Sequence, residues 1–218
     1  MAFLPSDHDL LSYENQKWDE KVFFVVGVDE VGRGPLAGPV VAAAVCFPPN
    51  SEIPFVDDSK KLSQKQREEL NDQILGVEGV CVGIAELSSV EVDEINILKA
   101  THVAMARAVA KIPKAEFALI DGLPVPGFSL PSLAIVKGDS KSASIAAASI
   151  IAKVYRDRLM IAYSHEYPGY GFESHKGYGT KKHLAALNAL GACPIHRRSF
   201  APVRNLLNPP PEQRSFLF

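Results

Sequence analysis

Four acidic side chains stand where short apolar runs stop. VFFVVGV (22–28) leads into Asp29 and Glu30, FALID (117–121) ends in Asp121, and LAIVKGD (133–139) ends in Asp139. A carboxylate at the end of a buried strand loses hydration, and clustered carboxylates repel one another and raise each other's pKa. A divalent cation relieves both penalties, and an all-oxygen donor set suits Mg²⁺ or Mn²⁺ rather than zinc. Two such ions about 4 Å apart can hold the attacking water and the leaving 3′-oxygen of an in-line phosphodiester cleavage. No side-chain nucleophile is required for that chemistry, and none stands out. Taken singly, each acid could equally be a cap or turn residue. Asp29 and Glu30 are neighbours, so a regular strand would point them to opposite faces. Gly32 and Gly34 just beyond them would let the strand end or bend.

The elements that must carry these acids follow from the apolar patterning. The run to Asp29 and VVAAAVCF (40–47) read as two strands able to pair as a hairpin, with Pro48 and Pro49 as the stop. Residues 64–75 read as a polar helix with Ser63 as N-cap, and 80–88 as a third strand. Ile95, Leu98, Val103 and Met105 mark a helix over 91–111 that Pro113 closes. Two short strands follow, each ending in an acid, and then a long helix over 142–163 capped by Ser142 or Ser144. A helix over 180–190 ends at Gly191, and the chain from Pro202 is expected to be irregular. Strands first, then strands alternating with helices, imply an α/β fold: a mixed sheet with helices on its faces.

The chain has 218 residues, 47% hydrophobic and 22% charged, the profile of a globular protein with a proper core. No apolar run reaches the roughly 18 residues that span a bilayer, and the N-terminus has no signal-peptide pattern. Cys46, Cys81 and Cys193 form no CxxC pair, which points to a reduced, cytoplasmic setting without a disulfide framework or zinc site. The net charge of −2 is unevenly spread. Residues 1–22 hold five acids and two bases, whereas 170–211 hold one acid, Glu173, and six bases: Lys176, Lys181, Lys182, Arg197, Arg198 and Arg204. That asymmetry suits one basic face for a polyanion, and it suits an ordinary solvated surface as well.

GVDEVGRGPLAGPV (27–40) resembles bacterial ribonuclease HII. DDSKKLS (57–63), the Asp121–Gly122 pair, KGDSKSASIAAASIIAKVYRD (137–157), HKGYGTKKH (175–183) and PIHRRSF (194–200) agree with it in order. The resemblance implies a ribonuclease H-like mixed β-sheet flanked by helices, with a small C-terminal helical part beside the substrate groove. It divides the chain into a lead-in (1–21), a catalytic core (22–165), a substrate-groove segment (166–204) and a tail (205–218). The implied activity is endonucleolytic hydrolysis of the RNA strand of RNA–DNA hybrids and at single ribonucleotides embedded in duplex DNA, by two-metal-ion catalysis leaving 5′-phosphate and 3′-hydroxyl ends. The implied metal ligands are Asp29, Glu30, Asp121 and Asp139, the acids already singled out. Gly32, Arg33 and Gly34 correspond to the family's reader of the ribose 2′-hydroxyl, the group that tells RNA from DNA. Glycines let backbone groups approach a sugar closely, and they would equally serve a tight turn.

Tyr178 corresponds to the family's junction-sensing tyrosine, with Tyr170 as a second candidate. Lys60, Lys153, Lys182, His183, Arg197 and Arg198 are candidate phosphate contacts. Ser149 is expected to let its helix pack closely on the sheet. Leu123 stands where the family often shows Asn. The related ribonuclease HIII carries a long N-terminal extension and lacks the arginine in the glycine turn; Arg33 and a lead of about twenty residues favour HII. A monomer is expected. The tail Gln213–Phe218 is similar to the short peptides that dock into bacterial sliding clamps, and it could equally fold back on the domain or be disordered. Two other classes would fit part of this pattern. Another two-metal nucleic-acid enzyme needs the acids but no 2′-hydroxyl reader. A non-catalytic binding module needs the basic face but not the acids.

Overall fold

The computed structural model describes residues 10–54 and 62–208. Five strands form one sheet in the order β3-β2-β1-β4-β5: β1 (Val25–Val31), β2 (Val40–Cys46), β3 (Cys81–Leu87), β4 (Phe117–Asp121) and β5 (Ser132–Ile135). β1 pairs antiparallel with β2 and β2 antiparallel with β3, while β4 joins β1 in parallel and β5 joins β4 in parallel. The sheet is mixed, as the patterning implies, and alternation along each strand decides which side chain faces which helix layer. Val26, Val28, Ala42 and Ala44 pack with Ala104, Met105 and Ala108 of helix α4 (Ile97–Val109). Val41, Ala43 and Val45 turn the other way, against Ile150, Ile151 and Val154 of helix α5 (Ala143–Glu166) and Ile74 of helix α2 (Gln64–Leu75). β2 is therefore buried on both faces, which is why it reads as an unbroken apolar run.

Gly27 decides how near α5 comes. A Cβ there would lie 2.1 Å from the Ser144 carbonyl carbon, so the first turn of α5 rests directly on β1. Ser63 closes a capping box with Gln66 at the start of α2, and Ser142 caps α5 by accepting from the Ile145 N–H.

Three local expectations are corrected. The helix expected over 91–111 is two helices, α3 (Ser89–Ile95) and α4, because Asn96 at φ +65° breaks the turn and its Oδ1 caps α4 on Leu98 and Lys99 N–H. The strand expected to reach Asp139 stops at Ile135; Lys137 turns left-handed and Asp139 lies in a 3-10 turn over Gly138–Ser140. From Pro202 as far as Leu207 the chain is not irregular: helix α8 (Ala201–Leu207) carries Pro202 in its first turn, where a missing N–H costs nothing. The lead-in contains helix α1 (Ser12–Asp19), followed later in the chain by the short α6 (Phe172–His175) and by α7 (Lys181–Leu190). Among the described residues no helix is long and apolar enough to cross a membrane.

α1 is bound by one buried carboxylate. Glu14 is 1% exposed and accepts from Ser142 Oγ (2.6 Å), Ser144 Oγ (2.5 Å) and Ser144 N–H (3.0 Å) at the start of α5. Ala143 N–H donates to the Leu10 carbonyl at 2.8 Å beside it. An anion among the free N–H groups of a helix start is favourable, and removing it orphans three buried donors. Glu14→Ala is expected to lower unfolding free energy by about 3 kcal/mol in a urea titration, with Glu14→Gln milder because it keeps an acceptor.

Candidate active site

The register places two of the acids side by side. Val28 pairs with Ile120 in the parallel β1–β4 ladder, so the next residues, Asp29 and Asp121, continue at the same level. β4 stops there, which leaves that edge of β1 uncovered while β2 still pairs with it as far as Val31. The Glu30 N–H turns to Asp29 Oδ1 at 2.7 Å instead of a strand partner. The uncovered edge lets Asp29 and Glu30 reach one space although the strand runs straight through them. Asp121 is paired with Ile135 of β5, and its Oδ1 accepts from the Gly138 N–H at 2.6 Å, which fastens the Asp139 turn next to it. All four acids line one cleft of about 490 Å³, together with Gly32, Arg33, Gly34, Arg67, Ser149, Lys153 and Tyr178.

The electrostatics of this cleft are those of crowded carboxylates. Burial, then Glu30 and Asp121, push Asp29 well above the ordinary carboxylate range, against a hydrogen bond from Ser149. Burial also raises Glu30, opposed by Arg33, whose Nη1 stands 3.4 Å from Glu30 Oε1. Among the described residues no three His, Cys, Asp or Glu side chains already form a closed coordination set. The donors on these four side chains are oxygens only, Asp29 and Asp139 buried, Glu30 and Asp121 half-buried; that chemistry fits a hard divalent cation and not a soft one.

The remaining candidates divide. Tyr178 is 42% exposed and faces the glycine turn: a Cβ on Gly34 would lie 3.6 Å from its ring Cε1. Lys153 lines the cleft and pairs with Asp157 at 2.8 Å. Lys182 and Arg198 are exposed but outside the cleft; the Arg198 N–H donates to Asp93 at 2.7 Å. Lys60 lies outside the described residues. Arg197 and His183 are not surface groups. Both are 0% exposed, so the basic face is thinner than the count of charges suggested. Tyr170 is also interior, its ring stacked on Phe172 at 5.2 Å and its hydroxyl donating to the Gly191 carbonyl at 2.9 Å. Ser149 lies on α5, which packs on the sheet, and its hydroxyl also meets Asp29. Arg67 in α2 is a cleft residue that no motif announced. Leu123 is 76% exposed and does not line the cleft.

Two buried guanidiniums hold the glycine turn and the segment that follows it. Arg197 donates to the carbonyls of Gly32 (2.6 Å), Arg33 (3.1 Å) and Gly38 (3.0 Å). Arg156, from α5, donates to Ala37 (3.1 Å), Pro39 (3.0 Å) and Lys176 (3.0 Å). With the Gly32 and Arg33 carbonyls occupied by Arg197, the start of the turn is held in one arrangement beside the cleft. Apart from the dipeptide's own basicity, sequence could not separate Arg197, a frame residue, from exposed Arg198 next to it.

A family model described as ribonuclease HII matches residues 26–203. Ribonuclease HII of Chlamydia caviae is 54% identical over 196 residues, 89% of this chain and 92% of that protein. Ribonuclease HII of Geobacter metallireducens is 50% identical over 204 residues, 93% of this chain and 95% of that protein. The chain belongs to the ribonuclease HII family. It is therefore a ribonuclease H, a nuclease that cleaves the RNA strand of RNA–DNA hybrids. Among solved structures, ribonuclease HII of Archaeoglobus fulgidus, in its complex with PCNA, is similar with a TM-score of 0.68 at 28% identity, covering 84% of this chain and 96% of that one. The ribonuclease H2 of Pyrococcus horikoshii matches with the same TM-score at 27% identity, over 84% of this chain and 96% of its own. The fold carries the expectation of a ribonuclease H-like mixed sheet.

Gly32 and Gly34 are constrained differently in this family member. Gly32 sits at φ +94°, and a Cβ there would lie 2.3 Å from Arg156 Nε; Gly34 has ordinary space around it. Gly32→Ala is expected to destabilise the protein by about 2 kcal/mol or more in thermal unfolding. Gly34→Ala is expected to melt within a few tenths of a kcal/mol of the parent yet cleave hybrid more slowly, because its methyl enters the gap before Tyr178.

Proposed function

We propose that this ribonuclease H also cuts at single ribonucleotides embedded in duplex DNA, with divalent cations held by Asp29, Glu30, Asp121 and Asp139. The observation that carries the reading is the composition of one cleft: four acids, the Gly32–Arg33–Gly34 turn and the Tyr178 ring line the same wall. Two Mg²⁺ or Mn²⁺ ions, when bound, supply an activated water and charge neutralisation for the leaving 3′-oxygen. The chain's own residues do the rest. The glycine turn presents backbone groups to the 2′-hydroxyl, donor and acceptor at once. The Tyr178 ring, standing across from Gly34, is placed to pack on the deoxyribose that follows the ribonucleotide. Arg33, Arg67 and Lys153 are the cleft cations available to the phosphates, and Lys182 and Arg198 extend the positive surface beyond it.

The reading is tested on three duplexes of one sequence: all DNA, DNA with one ribonucleotide, and RNA–DNA hybrid. Cleavage of the second and third, with 5′-phosphate and 3′-hydroxyl ends, is expected; equal cutting of all-DNA duplex would show that the turn reads no 2′-hydroxyl. Asp29→Asn is expected to lower kcat at least roughly a thousandfold while duplex binding, followed by anisotropy, persists.

We also propose that the tail Gln213–Phe218, which lies outside the described residues, docks on a sliding clamp. The support is its glutamine-plus-hydrophobic pattern, and the similar Archaeoglobus fulgidus protein was solved with PCNA. Such a tether raises local concentration on DNA without touching the chemistry. Removing residues 213–218 is expected to abolish capture by immobilised clamp and leave oligonucleotide cleavage unchanged; retained capture would sink the idea.

A further inference from the structure

Behind Tyr178 lie three imidazoles whose protons can be assigned from their partners. His183 Nδ1 meets the Tyr178 carbonyl at 3.0 Å, and a carbonyl only accepts, so Nδ1 carries the proton. His196 Nδ1 meets the Cys193 N–H at 3.0 Å and the Cys193 thiol at 3.1 Å, so that nitrogen is bare. A neutral His196 then has its proton on Nε2, which faces His183 Nε2 at 3.1 Å. The three bonds run in one direction, from Cys193 through His196 and His183 to the backbone of Tyr178. His175 is stacked on His183 with centroids 4.4 Å apart, and its Nδ1 accepts from the Gly177 N–H at 3.2 Å while its Nε2 donates to the Tyr170 carbonyl at 2.8 Å. The Tyr178 carbonyl also accepts from the Thr180 N–H at 2.8 Å, and Gly177 accepts from the Leu36 N–H at 2.8 Å. The loop bearing Tyr178 is thus fastened on one side to the imidazoles and on the other to the segment after the glycine turn.

We propose that His183 and His196 are positioning residues for junction recognition: their one-way relay of neutral imidazoles fixes the Tyr178 backbone, and so the height of its ring over the glycine turn. The inference rests on the reading of Tyr178 as the group that meets the deoxyribose after the ribonucleotide. Both rings must stay neutral for the relay to exist, because a second proton on either places two donors face to face. Their surroundings hold them so. Burial and the His183 ring keep His196 down at about 4, and burial lowers His183. The groups facing the pair are the His175, Tyr170 and Phe172 rings and the Cys193 thiol, whose own pKa burial raises. Glu166 stands beyond Cys193.

The test compares kcat/KM on duplex DNA bearing one ribonucleotide with kcat/KM on a uniform RNA–DNA hybrid. Tyr178→Ala and His183→Leu are both expected to lower that ratio by about tenfold, the scale set by a buried acceptor losing its donor. His183→Asn keeps a donor where Nδ1 stood and is expected to restore most of the ratio. If Tyr178→Ala lowers the ratio while His183→Leu depresses both substrates in parallel, the relay is only packing and the proposal fails by itself. If Tyr178→Ala leaves the ratio unchanged, the reading of the tyrosine fails and takes the proposal with it. Should His183→Leu not fold, ¹⁵N spectra of the unaltered protein near neutral pH decide. His183 protonated on Nδ1 and His196 on Nε2 support the relay; the opposite tautomer on either, or a charged ring, overturns it.

Discussion

Helix α5 touches strand β1 with no side chain between them, and the cleft depends on that contact. With Gly27 seated on the Ser144 backbone, the first turn of the helix is fixed against the sheet, and that sets the course of the rest. Residues at helical spacing along it then serve different parts of the molecule. Ser149 meets Asp29, Lys153 lines the cleft, Arg156 grips the loop after the glycine turn, and Met160 enters the C-terminal cluster with Tyr170 and Phe172. A side chain at position 27 would lift the helix and displace all four together. Asp29, Glu30 and Asp121 sit on strands and Asp139 on the turn after β5, and this single helix supplies Ser149 and Lys153 beside them.

Tight packing also explains why carboxylates can be held in so unfavourable a place. Asp29 is 6% exposed, next to two other acids, and its protonated form is favoured by its surroundings. Strand hydrogen bonding and the Gly138 N–H fix the backbone on either side, so the acids have little freedom to relax apart. An arrangement that costs stability is maintained by residues that contribute none of the chemistry, as is usual where a site must be ready before its ligand arrives.

Much of this was legible in the sequence where one signal was sufficient. Apolar runs ending in acids located β1 and β4, and Ser63 and Ser142 announced their helices through capping chemistry. The glycine turn and the tyrosine were legible through resemblance rather than periodicity. What escaped depended on contacts distant along the chain. Asn96 breaks a helix in the middle of an apolar pattern because its side chain can cap the next one, a choice that hydrophobic spacing does not register. Asp139 reaches the cleft on a turn, since the Asp121 carboxylate captures the Gly138 N–H. Arg197, Arg198 and His183 share a basic segment, and only the fold separates the two that face inward from the one that faces solvent. Arg67 carries no motif, and helix α2 alone brings it to the cleft.

The two interior guanidiniums have an electrical consequence apart from their grip on the loop. Arg156 and Arg197 are satisfied by carbonyl oxygens, and among the described residues neither forms an ion pair, Asp157 and Asp93 acting on them only from further off. Inside a protein such a charge is weakly screened, and its potential extends into the adjoining groove further than that of a solvated lysine. A molecule with a formal charge of −2 can in this way offer a positive approach to a polyanion from sources the polyanion never touches.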